Sequence, residues 1–505
     1  MRILFKNGRW GFDGSSLSFL VENGHVVYRG DGIPITEREA DKCIDLEGGF
    51  VLPGFVDCHC HILAAGLDLS RLNLSGTTKK EEVFEKLLEW SKKIRDDEWI
   101  LAVHYDANRF EDGKDITAEE LEKVLPGRAI VLRHSSGHAC VVSKKALALA
   151  GIKDVTENPP GGTIVRNEKG EATGLLLENA MGLVYGVVPK PSVAEMKNAI
   201  RKAVTSMLSY GITCASDMTT GSVNISDELL AYQNVLEELP ARARLYLDWD
   251  VIFDDFQREF FNQDQLRIND KLRINGVKLF ADGAIGARTA AMSEPYTNGE
   301  TGYLIYEQEE LNEKVRRADE DGLQIAIHAI GDSAVDAVLN AYEKTKNPST
   351  HRIEHAMVLS QKQIEKIKKM RTKLAMQPEF LLRFRNTYFK ALGEERASKI
   401  KPIRSLLESG ISVGFSSDRP IVSGDPWSGI EAATSRDGFA PEEKISLETA
   451  LRAYTSGGAE VNGEMEYGGL EPGQYADFQV YERSPLEQPG QPKSVYISGE
   501  RIYER

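Results

Sequence analysis

Six side chains with metal-binding or acid–base chemistry stand at or near the ends of apolar runs in this sequence: His59, His61, Lys278, His328, His355 and Asp418. His59 and His61 are two residues apart, so on an extended strand both side chains face the same side. Several imidazoles with a carboxylate form a ligand set for a divalent ion such as zinc, manganese, nickel or iron. The pattern predicts a metal centre, provided that the fold brings the runs together.

Each of these histidines taken alone has a simpler explanation, because a single histidine in a strand is more often a structural hydrogen-bonding group than a ligand. The His-x-His pair after a buried run is a stronger signal, and the repetition of polar residues at the ends of several runs is stronger still. His25 lies in a hairpin pattern and receives no role, and His351 is interpreted as structural.

Helical patterns, with apolar residues three and four apart, lie between most of the runs that carry these side chains. Strands alternating with helices predict an α/β fold with a (β/α)8 TIM barrel, in which the carboxyl ends of the strands meet at one face. That face would hold the six side chains. The eight predicted strands lie within residues 50–61, 211–218, 242–251, 274–283, 323–332, 350–358, 373–380 and 411–420.

The remaining segments predict two further domains. Short strand patterns at both ends of the chain predict one small β-sandwich domain, built from residues 1–50 and 465–505. The barrel then comprises residues 51–65 and 191–464. Residues 66–190 are too many for one connection and contain strand and helix patterns, so they predict an α+β cap inserted after barrel strand 1. Such an insertion would lie over the face where barrel active sites occur.

Lys278 poses a separate question, because it interrupts the apolar run GVKLF among the predicted ligand strands. A buried ammonium group is costly. Carboxylation by carbon dioxide would convert the amine into an anionic carbamate that can bridge two metal ions, and this interpretation is favoured. In the alternative, Lys278 pairs with Asp282 or Asp418 and binds no metal.

Composition excludes several classes of partner. Lys and Arg total 62 and Asp and Glu total 77, which gives a net charge of −15. Without a basic block, the chain is a poor candidate for binding nucleic acid or an anionic membrane. It also lacks a long apolar span, a secretory signal and a disulfide framework, so we expect a cytoplasmic protein. The composition neither names a substrate nor excludes one. A homo-oligomer is left open.

Taken together, these motifs resemble the metal-dependent amidohydrolase superfamily. The matching stretches are PGFVDCHCH, GVKLFADG, IAIHAIGD, HRIEHA and GFSSDRP. The branch that fits is the YtcJ-like group, relatives of N-substituted formamide deformylase, to which SGHACVVSKKAL and the tail GGLEPGQYADFQVYE are similar. The resemblance spans nearly the whole chain.

The resemblance implies one or two divalent ions, with zinc preferred over manganese, nickel or iron. The implied ligands are His59, His61 and Asp418 for the more buried ion and His328 and His355 for the second, with carboxylated Lys278 as the bridge. The implied reaction is hydrolysis of a C–N bond of amide type, cyclic or N-acyl or N-formyl, by a metal-activated water.

Residue types support that mechanism. Asp418 would accept the proton of the water and pass it to the leaving nitrogen. His138 is a candidate donor to the oxyanion, with a structural role in the cap as its alternative. Glu178 is either an acidic ligand or a substrate contact. The further candidates for the pocket lining, each also explained as a packing or loop residue, are Tyr105, Asp106, Arg288 and Tyr296.

Two other functions compete with amide hydrolysis. A ring-amine deaminase of the same superfamily would usually place a glutamate shortly after the strand 5 histidine, but AIGDSAV follows His328. A non-catalytic scaffold or regulator would be expected to have lost metal ligands, whereas the ligand set here is complete. Both observations favour the hydrolase.

Overall fold

The computed structural model of the chain describes residues 1–32, 34, 39–135, 137, 139–159, 161–249 and 266–505. The chain divides into two compact units: Met1–Leu63 with Ile200–Arg505, and Ala64–Ala199. The three-domain division and its boundaries stay a prediction. His138 lies outside the described residues.

Eight parallel strands in the first unit form a nearly closed barrel, so the predicted α/β barrel fold is confirmed. Neighbouring barrel strands are consecutive in the chain, and the central strands are buried on both faces, which explains why each reads as a continuous apolar run. The strands are Phe55–Cys60, Ile212–Thr220, Arg242–Asp248, Leu272–Phe280, Gln324–Ala329, Arg352–His355, Lys373–Met376 and Val413–Phe415.

The first and eighth barrel strands meet at the seam of the barrel. The backbone N–H of Asp418 donates to the carbonyl of His59 at 2.8 Å, and the N–H of His61 donates to the carbonyl of Arg419 at 2.9 Å. These bonds lie just beyond the end of the eighth strand. They hold the loop that carries Asp418 directly against the His-x-His segment.

Helices cover the outside of the barrel, as the 3.6-residue patterns predict. The helix Gln361–Met370 shows the local cause: Ser360 and Gln363 form a capping box at its start, which satisfies backbone N–H groups that the helix leaves unpaired. The helices of the barrel region are Val193–Ser209, Ile225–Glu238, Gln308–Glu320, Asp332–Tyr342, Gln361–Met370, Glu379–Arg383, Arg385–Leu392, Glu394–Ser398, Ile403–Glu408, Pro426–Ser435, Leu447–Ala453 and Ser456–Val461.

The first apolar run, expected as one strand at 50–61, is divided at Gly54. Phe50–Pro53 belongs to the terminal sheet and Phe55–Cys60 belongs to the barrel. A β-carbon on Gly54 would lie 2.1 Å from the hydroxyl oxygen of Thr213, which belongs to the second barrel strand. Only glycine allows the chain at residue 54 to pass this close to that strand. One run of residues therefore serves two sheets.

Both ends of the chain contribute to a single eight-stranded sheet. Phe19 and Phe478 lie on strands three positions apart, a separation of about 14 Å in a flat sheet. Their ring centroids are only 5.1 Å apart, so the sheet folds over and its two halves share one core. The strands are Arg2–Trp10, Ser16–Glu22, His25–Gly30, Lys42–Asp45, Phe50–Pro53, Phe478–Tyr481, Ser494–Ile497 and Glu500–Glu504.

The second unit has a six-stranded mixed sheet with its own helices and its own apolar cores. The apolar run at 129–142 forms two antiparallel strands. The strands are Leu72–Asn73, Ile100–Tyr105, Ile130–His134, Ala139–Val142, Gly162–Arg166 and Ala172–Glu178. The helices are Lys80–Ser91, Ala118–Val124, Lys144–Leu149 and Met181–Tyr185, while Ile62–Asp68 begins at the end of the first unit. Within the described ranges, no helix is both long and apolar enough to cross a membrane.

Candidate metal centre

The barrel brings the predicted ligands to one end because its strands are parallel. His59 lies on the first strand and His61 directly follows it. His328 is the penultimate residue of the fifth strand, His355 is the last residue of the sixth, and Asp418 follows the eighth. The carboxyl ends of parallel barrel strands form the face on which active sites are built.

Three of the predicted ligands form a compact cluster. Asp418 Oδ1 lies 3.3 Å from His59 Nε2 and 3.0 Å from His61 Nε2. One ligand atom from each residue falls within 4.8 Å of the others. Two imidazole nitrogens and one carboxylate oxygen at this spacing fit a divalent ion such as zinc. No other group of His, Cys, Asp and Glu in the part of the chain that the structure describes meets the same criterion.

His355 and His328 continue the cluster from the neighbouring strands. The ring centroid of His355 is 4.9 Å from that of His59 and 4.5 Å from that of His328. Burial lowers the pKa of His328 to about 3, with a further contribution from Lys278, and burial lowers the pKa of His355 well below its usual range. Both imidazoles are therefore neutral, which is the form that binds a metal ion.

In each of the four predicted histidine ligands, one ring nitrogen has a fixed hydrogen-bond partner. Because a carbonyl oxygen can only accept, the nitrogen of His328 that faces Gly283 is protonated, which leaves its other nitrogen as an acceptor. Such partners orient a ligand ring and set its tautomer. The pairs are His59 Nδ1 with the Glu354 carboxylate, His61 Nδ1 with Thr219 Oγ1 at 2.9 Å, His355 Nδ1 with Gln377 Oε1 at 2.7 Å and His328 Nε2 with Gly283 O at 2.9 Å.

Asp418 remains ionised in this environment. Burial opposes its ionisation, but His59 and His61 outweigh burial and hold the pKa of Asp418 well below its usual range. The residue also has a φ of +59°, a conformation that non-glycine residues adopt rarely. His355 shares this feature with a φ of +74°. Backbone strain of this kind clusters at functional sites.

Lys278 is only 2% exposed, and burial lowers its pKa to about 8. Among the described residues it has no carboxylate within ion-pair distance, and its ammonium lies 4.7 Å from the ring centroid of Phe280. Asp282, one of the partners considered for it, instead accepts backbone N–H groups of Ala291, Ile330 and Gly331. The ion-pair alternative therefore finds no support among the described residues, and carboxylation of Lys278 stays a prediction.

The predicted pocket residues of the first unit lie in the loop after the fourth barrel strand. Tyr296 is 3% exposed and its hydroxyl donates to the carbonyl of Ala290 at 2.9 Å, a contact that holds the loop together. Arg288 has a φ of +58°, and its buried Nε makes no hydrogen bond to the described residues. Neither observation tests a substrate contact, so both roles stay predictions.

The other predicted pocket residues belong to the second unit. The hydroxyl of Tyr105 accepts from the N–H of Ile116 and donates to Asp115. Asp106 Oδ1 lies 3.3 Å from His134 Nε2. Glu178, the last residue of its strand, has a φ of +50°. The substrate roles of these residues also stay predictions.

Several residues beside the cluster were not expected from the sequence. Glu354 is fully buried and contacts His59, while Gln377 contacts His355. Lys401 is fully buried as well, and burial lowers its pKa to about 7. The sequence did contain one signal that could have indicated such residues, namely a charged residue within or beside a buried apolar run, as at Glu354.

A profile of the Amidohydrolase family matches residues 42–503. The chain belongs to this family. The amidohydrolase is 30% identical over 496 residues to "Putative amidohydrolase YtcJ" of Bacillus subtilis (strain 168), a match that covers 94% of this chain and 92% of that one. It is 26% identical to N-substituted formamide deformylase of Arthrobacter pascens, covering 96% and 94% of the two chains. The predicted family and branch are confirmed.

A solved structure agrees with this assignment. An uncharacterized metal-dependent hydrolase from Pyrococcus furiosus is 31% identical, has a TM-score of 0.80 and covers 96% of this amidohydrolase and 100% of its own chain. Family membership and this structural similarity together support a hydrolase.

Proposed function

We propose that this amidohydrolase hydrolyses an amide-type C–N bond of a small molecule with the help of a bound divalent metal ion. The observation that carries the proposal is the cluster of His59, His61 and Asp418, whose ligand atoms lie within 4.8 Å of one another. Family membership supports the class of reaction. The relative named N-substituted formamide deformylase supports N-formyl and N-acyl substrates, with cyclic amides as the neighbouring class.

The donor set suits zinc, with manganese, nickel or iron as alternatives. A divalent ion lowers the pKa of a coordinated water and polarises a scissile carbonyl. His59, His61 and Asp418 are the ligands proposed for one ion, and His328 and His355 for a second. Burial lowers the pKa of Lys278 to about 8 and so raises the fraction of neutral amine, which is the form that reacts with carbon dioxide. The carbamate of Lys278 is the proposed bridge.

Asp418 is the residue proposed to move the proton. Its carboxylate would accept one proton from the attacking water and deliver that proton to the leaving nitrogen, so that acid and amine products form without a charged amide leaving group. His138 remains the proposed oxyanion donor. The proposed substrate contacts are Glu178, Tyr105, Asp106, Arg288 and Tyr296.

Metal analysis and a substrate screen test this function. The purified chain is analysed by elemental mass spectrometry and assayed against formamides, N-acyl amino acids, lactams and ring amines, with His61→Ala as the site variant. His25→Ala is the matched control, because His25 lies in the terminal sheet. We expect bound divalent metal and amide hydrolysis in the parent chain and the control, and loss of both in His61→Ala. A folded parent chain without metal or amide turnover would contradict the proposal.

The carbamate has a test of its own. After equilibration with carbon-13 bicarbonate, the parent chain should show a carbamate resonance by carbon NMR, and Lys278→Ala should lack it. Absence of that resonance from the metal-loaded parent would remove Lys278 as the bridge and leave the cluster at Asp418 intact.

A further inference from the structure

Glu354 joins the candidate metal centre to a fully buried arginine. Arg352 Nε donates to Glu354 Oε1 at 2.5 Å, and its NH2 group donates to Oε2 at 2.9 Å. The same Oε2 faces His59 Nδ1. Both charged side chains are 0% exposed. A carboxylate held by a two-point contact has a defined position as well as a partner for its charge.

Arg352 is itself fixed by three further acceptors. Its guanidinium donates to the carbonyl of Cys58 at 2.6 Å, to Asn462 Oδ1 at 2.9 Å and to the hydroxyl of Tyr246 at 3.2 Å. The Cys58 carbonyl belongs to the residue before His59. The arginine therefore holds both the backbone next to His59 and the carboxylate behind its ring.

The direction of the hydrogen bond determines the tautomer of His59. An ionised carboxylate can only accept, so Nδ1 of His59 carries a proton and Nε2 is the nitrogen left to bind a metal ion. Nε2 is the atom that lies 3.3 Å from Asp418 Oδ1, inside the cluster. The hydrogen-bond partners of His61, His328 and His355 are neutral groups, and the carboxylate of Asp282 lies 3.5 Å from His328 Nε2. The hydrogen-bond partner of His59 is itself a carboxylate.

We propose that Glu354, held in place by Arg352, is a positioning residue that keeps His59 in its metal-binding tautomer and strengthens the affinity of the site for a divalent ion. The inference rests on the metal centre proposed above. Carboxylate partners of ligand histidines raise the basicity of the ring, and their loss weakens metal binding about 10- to 100-fold.

The test measures zinc affinity by competition with a chromogenic chelator, starting from metal-free parent chain and the variant Glu354→Gln. Glutamine replaces one of the two accepting oxygens with an NH2 group, so it cannot accept from Arg352 Nε, Arg352 NH2 and His59 Nδ1 together. We therefore expect zinc affinity to fall about 10- to 100-fold. Nitrogen-15 NMR of the imidazoles reports the tautomer directly, and we expect the protonated Nδ1 of His59 in the parent and its loss in the variant.

Glu464→Gln is the matched control. Arg244 Nε donates to Glu464 Oε1 at 2.6 Å and its NH2 donates to Oε2 at 2.9 Å, which is the same buried two-point contact without a histidine. We expect a comparable loss of thermal stability and unchanged zinc affinity. If both variants lose zinc affinity equally, the effect is a general destabilisation and the inference is wrong.

A double variant, Arg352→Gln with Glu354→Gln, controls for misfolding that an unpaired buried arginine could cause in the single variant. It removes both charges and should still bind zinc more weakly than the parent. Parent-like zinc affinity in a folded Glu354 variant would overturn the positioning role and leave the metal centre standing. If instead the parent and His61→Ala both fail to bind zinc, the metal centre itself is wrong and the inference falls with it.

Discussion

At the scale of single residues, the candidate centre depends on side chains whose backbone is held in an unusual conformation. Asp418 and His355 both have positive φ values, and the N–H of Asp418 is bonded to the carbonyl of His59. The local cost of such a conformation, about 1–3 kcal/mol, persists only where the surroundings fix it. Here the strand ends and the seam of the barrel supply that constraint.

Asp418→Asn tests the proton-transfer role. The amide can still occupy the site but cannot accept a proton at this position, so we expect turnover of the best amide substrate to fall about 100- to 10,000-fold. Bound zinc should be retained, as measured by elemental analysis of the same sample. Asp425→Asn is the control, because asparagine preserves the helix cap that Asp425 provides. Unchanged turnover in Asp418→Asn would mean that another group transfers the proton.

The metal-binding residues could be recognised in the sequence, but the residues that contact the second nitrogen of each histidine ring could not. His59 and His61 stand out by their spacing at the end of a buried run. Glu354 and His59 are 295 residues apart in the chain, and Gln377 and His355 are 22 apart, so no local pattern shows which ring each one contacts. Contacts of this kind depend on which side chains a closed barrel turns towards each other.

At the scale of elements, the barrel strands were predictable because a strand that is buried on both faces has apolar side chains at consecutive positions, which form a continuous apolar run in the sequence. Six of the eight predicted runs contain a whole barrel strand, and the runs 211–218 and 274–283 overlap their strands Ile212–Thr220 and Leu272–Phe280. The division of the first run at Gly54 was not predicted, since the Pro-Gly pair interrupts the run for only two residues. The close approach to Thr213 that requires this glycine is a tertiary contact and leaves no local signal.

Gly276→Ala tests how tightly the fourth and fifth strands are packed. A β-carbon at Gly276 would lie 1.9 Å from the carbonyl oxygen of Gln324. This oxygen is a main-chain atom, so it cannot move away by a change of rotamer. We expect a loss of about 1–3 kcal/mol in the free energy of unfolding, typical of overpacking, measured by chemical denaturation. Gly490→Ala has no atom within 4 Å of its β-carbon and should change stability little. Equal stabilities of the two variants would contradict the packing described for these strands.

At the scale of the whole molecule, a buried ion pair connects the barrel to the terminal sheet. Arg242, on the third barrel strand, donates to Asp477 at 2.5 and 3.0 Å, and both side chains are 1% exposed. Asp477 also accepts from the N–H of Ser498 at 2.8 Å. Strands from distant parts of the chain are thus joined by one pair of charges.

Asp477→Ala should destabilise the protein by about 3–5 kcal/mol, because it leaves the Arg242 charge buried without its partner. The double variant Arg242→Met with Asp477→Ala should recover part of that loss. Glu408→Ala removes an exposed ion pair with Arg404 and should cost less than about 1 kcal/mol. Denaturant unfolding of the four proteins checks the prediction, and equal losses for the buried and exposed pairs would contradict it.

Metal removal gives a second prediction at this scale. An ion that binds the folded chain alone, at about 100 times its dissociation constant, stabilises that chain by about 2.7 kcal/mol. Zinc should therefore raise the melting temperature of the chelator-treated parent chain, and His61→Ala should not respond. A shift of the same size in His61→Ala would place the zinc effect elsewhere in the protein.

The strand Phe50–Pro53 has a consequence for how the protein is made. It pairs with Phe478–Tyr481, a segment that is synthesised long after it. The adjoining strand Phe55–Cys60 meets the eighth barrel strand, which also emerges late. Since synthesis is vectorial, Phe50–Pro53 can pair early with Arg2–Trp10 on one edge, while its other edge must wait for Phe478–Tyr481. Closure of this sheet therefore requires residues 478–481, and a chain truncated before residue 478 exposes an open strand edge that promotes aggregation.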